Sequence, residues 1–344
     1  MRLPTATAAI FVITLAGCGG DSEKPKAAEI KAGNCIAKDI ADEDDRGPDL
    51  DSVVDCSEPH AYEILDVVDL PKEALKGRTE KERLANRTDL ATTESDEDEE
   101  TSAEWDAYLK FGQRVCNSAL RTMAGYDDIA VSGIDAEKAG VVPVLGGQAQ
   151  GPWFNVMPAR QWLDGKRQII CSVRFTEPVP KDFDEEFPED LDAKPVSSKN
   201  GKPLITTASS PGFPATFRQC TVFDAEEVSS IVGCDKQHYS ENLFTFNADA
   251  VFDAGFMKGL DQNKPTDAEY EEFDRACRGA FPSVMDKGYD KSKVRSSGFP
   301  GFQWGDSYKA IVCDLIAIDS KNTDIGPGTF AWSDAKDVEL IDVK

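Results

Sequence analysis

The chain has 344 residues, 63 of them acidic and 38 basic, for a net charge of -25 at neutral pH. That balance excludes nucleic acid as a ligand, because displacing the counterions of a phosphate backbone needs a basic face. Hydrophobic residues make up 40% and aromatic residues 9%, more than disordered chains carry, so folded cores are expected.

Residues 1–17 open with one cation, Arg2, run apolar from Ala8 to Leu15 and end in Leu15-Ala16-Gly17 before Cys18. This pattern is an export signal, too short to span a bilayer. The small residues before Cys18 resemble the bacterial lipobox, which makes Cys18 the expected lipidation site and residues 18–32 a lipidated tether. The competing reading is a plain secretory signal followed by a free cysteine. Two or three acyl chains, at roughly 0.8 kcal/mol per buried methylene, hold a protein stably at a membrane. No later stretch reaches the roughly 20 apolar residues of a membrane helix, so the rest is expected on the outer face of the cytoplasmic membrane.

Residues 33–176 read as one domain. Short apolar stretches carry Cys35 and Cys56, and a frame Cys56-Ser-Glu-Pro-His60-Ala-Tyr-Glu63 leads into the strand-like Ile64–Leu70. A helix is predicted around residues 72–85. The acidic runs Asp42–Asp45, with Asp49 and Asp51, and Glu94–Glu100 lack EF-hand spacing and read as solvated loops. Trp105, Tyr108, Leu109, Val115 and Leu120 then recur at three- and four-residue spacing, predicting a helix that carries Cys116. Pro158-Ala-Arg-Gln-Trp162 precedes a predicted strand, Gln168–Phe175, with Cys171 inside it.

Residues 177–213 are rich in Pro, Ser, Lys and acidic residues without sustained periodicity and read as a linker, with Phe183 and Phe187 as docking points. Residues 214–344 then repeat the first domain. Cys234-Asp-Lys-Gln-His238-Tyr-Ser-Glu241 matches the frame of His60 and Glu63. Pro300-Gly-Phe-Gln-Trp304 reaches Cys313 at the spacing by which Trp162 reaches Cys171, and Arg275-Ala-Cys277 answers Arg114-Val-Cys116. Two tandem copies of one α+β domain are expected, each a small, mostly antiparallel sheet with one or two packed helices.

Four cysteines per copy in an exported chain read as a disulfide framework. Pairing strand with strand and helix with strand predicts Cys35–Cys56, Cys116–Cys171, Cys220–Cys234 and Cys277–Cys313, each stabilising by about 2 to 4 kcal/mol. With no Cys-x-x-Cys and one histidine per copy, neither a metal site nor a cofactor is expected.

The His/Glu frames admit two readings. On a helix, His60 and Glu63, like His238 and Glu241, would share a face and could ligate a metal or exchange protons. On a strand they would point to opposite faces, and each histidine would instead fix a loop beside its disulfide. The strand is favoured because Pro59 disfavours helix before it and the following residues are β-prone. Trp162 and Trp304, each at the entrance of a strand, are expected to pack over a disulfide, with glycan or partner contact as the alternative. Hydrolase, phosphate-loop, zinc-protease and dinucleotide motifs are absent, and no enzyme activity is expected.

The order of Gly33-Asn-Cys35, the Cys56 to Glu63 frame, a helix with Cys116, and Pro158, Trp162, Gly165 and Cys171 resembles the septum formation domain of actinobacterial envelope proteins. The likeness covers residues 31–176 and, with Gln237 in place of the frame's proline, 214–318. It implies a part in septum formation and cell division and carries no reaction or ligand. The expected function is a non-catalytic binding or scaffolding lipoprotein of the cell envelope, with division or envelope proteins as partners. Alternatives are a lipoprotein that captures a small ligand or metal for a membrane partner, and a cell-wall hydrolase.

Overall fold

The computed structural model describes residues 30–38, 48–50, 52–71, 103–146, 148–156, 168–177, 193–205, 215–223, 229–234, 238, 240–261, 264–285, 294–304, 309–317, 330–331 and 341–342. Cys18 with its signal and the tether up to residue 29, the predicted helix at 72–85, both acidic runs except Asp49, Phe183, Phe187 and Trp162 lie outside them, as does the side chain of Trp304. The tether's Ile30, by contrast, is buried in the core.

The fold is α+β and stapled by disulfides. In the first copy β1 (Cys35–Ile36), β2 (Val53–Val54), β3 (Tyr62–Asp69), β7 (Ala149–Val156) and β8 (Gln168–Phe175) form an antiparallel sheet of order β2-β1-β3-β8-β7. In the second, β9 (Gln219–Phe223), β10 (Ser229–Gly233), β11 (Ser240–Asn247), β12 (Val294–Trp304) and β13 (Lys309–Ala317) repeat that order as β10-β9-β11-β13-β12. The duplication extends to defects. The register of β3 on β8 slips between Ile64 and Asp66, and that of β11 on β13 slips between Asn242 and Phe244. The bulge thus falls just after the frame's glutamate in both copies.

One helix packs on each sheet through a disulfide. Helix α1 (Ala103–Ala124) buries Gly112, Cys116, Leu120 and Ala124, a four-residue stripe that faces the sheet. It ends at Gly125, whose φ of 69° is the left-handed conformation glycine adopts freely. The amide of Gly125 donates to Thr122 O at 3.0 Å and that of Tyr126 to Arg121 O at 3.0 Å, which satisfies the last carbonyls of the helix. In the second copy α2 (Ala248–Val251) and α3 (Ala254–Gly259) follow β11, and α4 (Asp267–Met285) answers α1. Helix α4 starts with a reciprocal cap. Thr266 N donates to Glu269 Oε2 at 2.6 Å, and Glu269 N donates back to Thr266 Oγ1 at 3.3 Å.

The disulfides are Cys35–Cys56, Cys116–Cys171, Cys220–Cys234 and Cys277–Cys313. Their partners join strand region to strand region and helix to strand, as the local patterns predict. Cys56 and Cys234 sit in the turns just beyond β2 and β10 rather than on the strands.

Two segments depart from the expected boundaries. Residues 193–205, placed in the linker by composition, pack on the first sheet. His60 and Val196 exchange backbone hydrogen bonds at 2.8 and 2.9 Å, Ser198 N donates to Cys56 O at 2.7 Å, and Ile205 is fully buried. Side-chain composition hides this because main-chain hydrogen bonds hold the segment.

Residues 126–146 belong to the first copy by sequence, and they pack on the second as well as on α1. They contain β4 (Ala130–Val131), β5 (Ile134–Asp135) and β6 (Val142–Pro143), and β6 pairs with β11 through Phe244↔Pro143 and Thr245↔Val142. Leu145 bridges to Arg218, and Gly146 N donates to Phe217 O at 3.1 Å. A single hydrophobic cluster therefore holds Ile129, Val131 and Val141 together with Phe244, Phe273 and Leu315. Among the described residues no helix is long and apolar enough to cross a membrane.

Candidate functional site

In each copy the frame's glutamate lies directly across a strand pair from the first cysteine: Cys35 opposite Glu63, and Cys220 opposite Glu241. Residues opposite one another in an antiparallel pair point to the same face. The carboxylate therefore lies beside the disulfide, and the histidine comes to it. His60, Glu63, His238 and Glu241 are all fully buried.

The opposite-face expectation fails in both copies, and in the second a ring nitrogen of His238 lies within 4.8 Å of a Glu241 carboxylate oxygen. In the first, His60 Nε2 lies 3.3 Å from Glu63 Oε1. His60 stands before β3, held by its bridge to Val196, so the two-residue alternation that starts at Tyr62 does not govern its direction. Its Nδ1 lies 2.9 Å from Glu58 O, and its ring packs edge-on against Phe175 with centroids 5.7 Å apart.

Glu63 is completed by the segment from beyond the copy. The amide of Leu204 donates to Oε1, and that of Ile205 donates to Oε2 at 2.6 Å. Two main-chain donors and an imidazole thus compensate a carboxylate out of contact with water. Nearby, the hydroxyl and amide of Ser57 hold the Asp55 carboxyl below the usual carboxylate range.

The second copy balances its glutamate with a full charge. Arg218 Nη1 donates to Glu241 Oε1, and both side chains are buried. Arg218 stands two residues before Cys220, where the first copy has Gly33 before Cys35, so the one copy uses a guanidinium where the other uses a strap. Tyr126, delivered by the segment from the first copy, completes this centre. Burial pushes its phenol far up, the Glu241 charge adds to the shift, and Arg218 partly opposes it. Its ring meets Phe244 edge-on at 6.1 Å.

The sequence pairs His238 with Glu241 but does not signal Arg218 or Tyr126, because neither belongs to the repeated frame. Metal-ligating types gather at both centres, as Cys35, His60 and Glu63 and as Cys220, Cys234, His238 and Glu241, each set with ligand atoms within 4.8 Å of one another. With both cysteine pairs oxidised, the disulfide sulfurs are not thiolate ligands. Trp153, on the outer strand β7, is 51% exposed and is the large apolar side chain most open to solvent among those described.

No family model, no curated protein and no solved structure matches this chain.

Proposed function

We propose that this chain is a lipid-anchored, extracytoplasmic lipoprotein that acts as a non-catalytic binding or scaffolding module of the cell envelope, at the division septum. One observation carries the non-catalytic part. The groups best suited to proton transfer, His60, Glu63, His238 and Glu241, are fully buried in a shell of disulfide, strap and guanidinium, where a substrate does not reach them. Their chemistry is spent on holding each sheet to its neighbouring segment. A double domain with a net charge of -25 is repelled by anionic headgroups and stands off the membrane on its tether. The septal assignment rests on the resemblance carried by Gly33-Asn-Cys35 and the Cys56 to Glu63 frame.

The test is time-lapse imaging of a fusion, expressed from the native locus, to a fluorescent protein that matures after export. Enrichment at the new septum, lost in Cys18→Ala along with metabolic fatty-acid labelling, is the expected result. A uniform membrane signal through the division cycle overturns the septal role, and fatty-acid label retained by Cys18→Ala overturns the anchor.

A further inference from the structure

Cys220, Cys234, His238 and Glu241 are all buried, and each offers a ligand atom within 4.8 Å of the others. The corresponding group in the first copy holds one cysteine, Cys35, with His60 and Glu63. We propose that the second copy's centre is a redox-gated site for a zinc-type divalent cation, closed while Cys220 and Cys234 are bridged and formed when a dithiol reductant opens that bridge.

Three features support it. Two thiolates, an imidazole and a carboxylate are all ligand types that four-coordinate zinc accepts, with metal–ligand distances of about 2.0 to 2.3 Å. Donor atoms already within 4.8 Å of one another can surround an ion at those distances once the bridge opens and its two sulfurs separate. Charge is conserved as well. The two thiolates cancel the ion, and Glu241 and Arg218 cancel each other as they do in the oxidised centre, so the exchange places no net charge in the interior. Arg218, hydrogen-bonded to Glu241, would orient that carboxylate as an outer-shell partner. Finally, Cys220–Cys234 closes the shortest loop of the four bridges, at a separation of 14 residues, and constrains the unfolded chain least.

The step balances. The bridge is fully buried in the closed protein, so exchange proceeds through local opening of this centre, in which one thiolate of the dithiol attacks a sulfur of the bridge and releases the other cysteine. Its second thiolate closes the reductant's own disulfide and frees the first cysteine, so two electrons pass to the cysteine pair. On metal binding both thiols yield their protons to solvent. This site stands independently of the scaffolding role and of the lipid anchor.

The experiment uses the full chain in detergent, titrated anaerobically with Co²⁺ alone, before and after treatment with a phosphine reductant. Expected on reduction are the intense visible bands of tetrahedral cobalt and a near-ultraviolet thiolate-to-cobalt band, at one ion per chain and displaced by Zn²⁺. The thiolate band disappears in Cys220→Ser with Cys234→Ser, His238→Gln weakens binding tenfold or more, and Cys35→Ser with Cys56→Ser keeps the spectrum. The proposal is overturned if the reduced chain keeps its far-ultraviolet dichroism and shows no thiolate band. It is overturned equally if the chain unfolds on reduction with Co²⁺ present, if the band survives the Cys220 and Cys234 substitutions, or if the band is lost with those at Cys35 and Cys56.

Discussion

Gly112 on α1 lies flat against the ring of Phe154 on β7, so close that a Cβ at Gly112 would stand 2.6 Å from the ring. The second copy reverses the pair. Phe273, four residues before Cys277 as Gly112 is before Cys116, takes the helix position, and Gly298, which faces Cys313 as Phe154 faces Cys171, takes the strand. One aromatic fills the helix–sheet gap either way. The change of side follows its surroundings, since α2 and α3 bring Phe252 and Phe256 to ring distances of 5.7 and 6.0 Å from Phe273.

The two glycines therefore differ in tolerance. At Gly112 an alanine meets a side chain that can tilt, and helix propensity returns about 1 kcal/mol, so Gly112→Ala is expected to cost about 1 kcal/mol net. At Gly298 the Cβ would stand 2.7 Å from the backbone of Phe273, and the whole helix must move. Gly298→Ala is expected to cost about 3 kcal/mol. Denaturant unfolding of both variants checks the order, and equal costs would contradict the reversed packing.

Glu63 fastens the strap. Glu63→Ala strands the amides of Leu204 and Ile205 and is expected to cost roughly 2 to 4 kcal/mol. Hydrogen exchange resolves the mechanism: the amides of 193–205 should lose protection well before the strands of the second copy. Uniform loss across the chain would mean that Glu63 serves the core at large.

Arg218→Ala leaves the Glu241 carboxylate buried without its counter-charge, and a loss of about 3 to 5 kcal/mol is expected. Adding Glu241→Leu should restore part of it, because the double change removes both charges together. A double-mutant cycle reads the coupling directly, and additive losses would refute a direct pair.

Tyr126 sets an alkaline limit. Its folded-state pKa is raised, so its contribution is present below the ordinary tyrosine value of about 10 and is lost as pH climbs above it. Tyr126→Phe should flatten the decline of stability above about pH 10, measured by thermal unfolding across a pH series. An unchanged slope would place the alkaline weakness elsewhere.

The cysteine frame and the order of elements were legible because cysteine and histidine are rare and their spacing survived duplication. What escaped reading was set by distant chain. Residues 193–205 look like a linker because main-chain bonds to His60 and Glu63 leave no side-chain period. His60 and Glu63 meet because the strand begins at Tyr62, a boundary that residue types alone do not mark. The docking of residues 126–146 on the second copy depends on Gly146 lying against Gln219, a contact without a local signature.

That last contact offers a direct test of the interlocked core. Gly146→Ala drives a Cβ into Gln219 and is expected to cost roughly 1 to 3 kcal/mol. The full chain should unfold in one transition, and the variant should shift that transition without splitting it. Two separated melts in the unaltered protein would show that the copies are independent.

The strand that β6 lends to β11 also orders events in time. The ribosome finishes residues 126–146 long before it reaches the partner strand, and Ile129, Val131 and Val141 have no second-copy surface to cover them until then. The first domain to be made is thus left open until the second has begun to emerge, and any factor that shields newly made chain has its target in that interval.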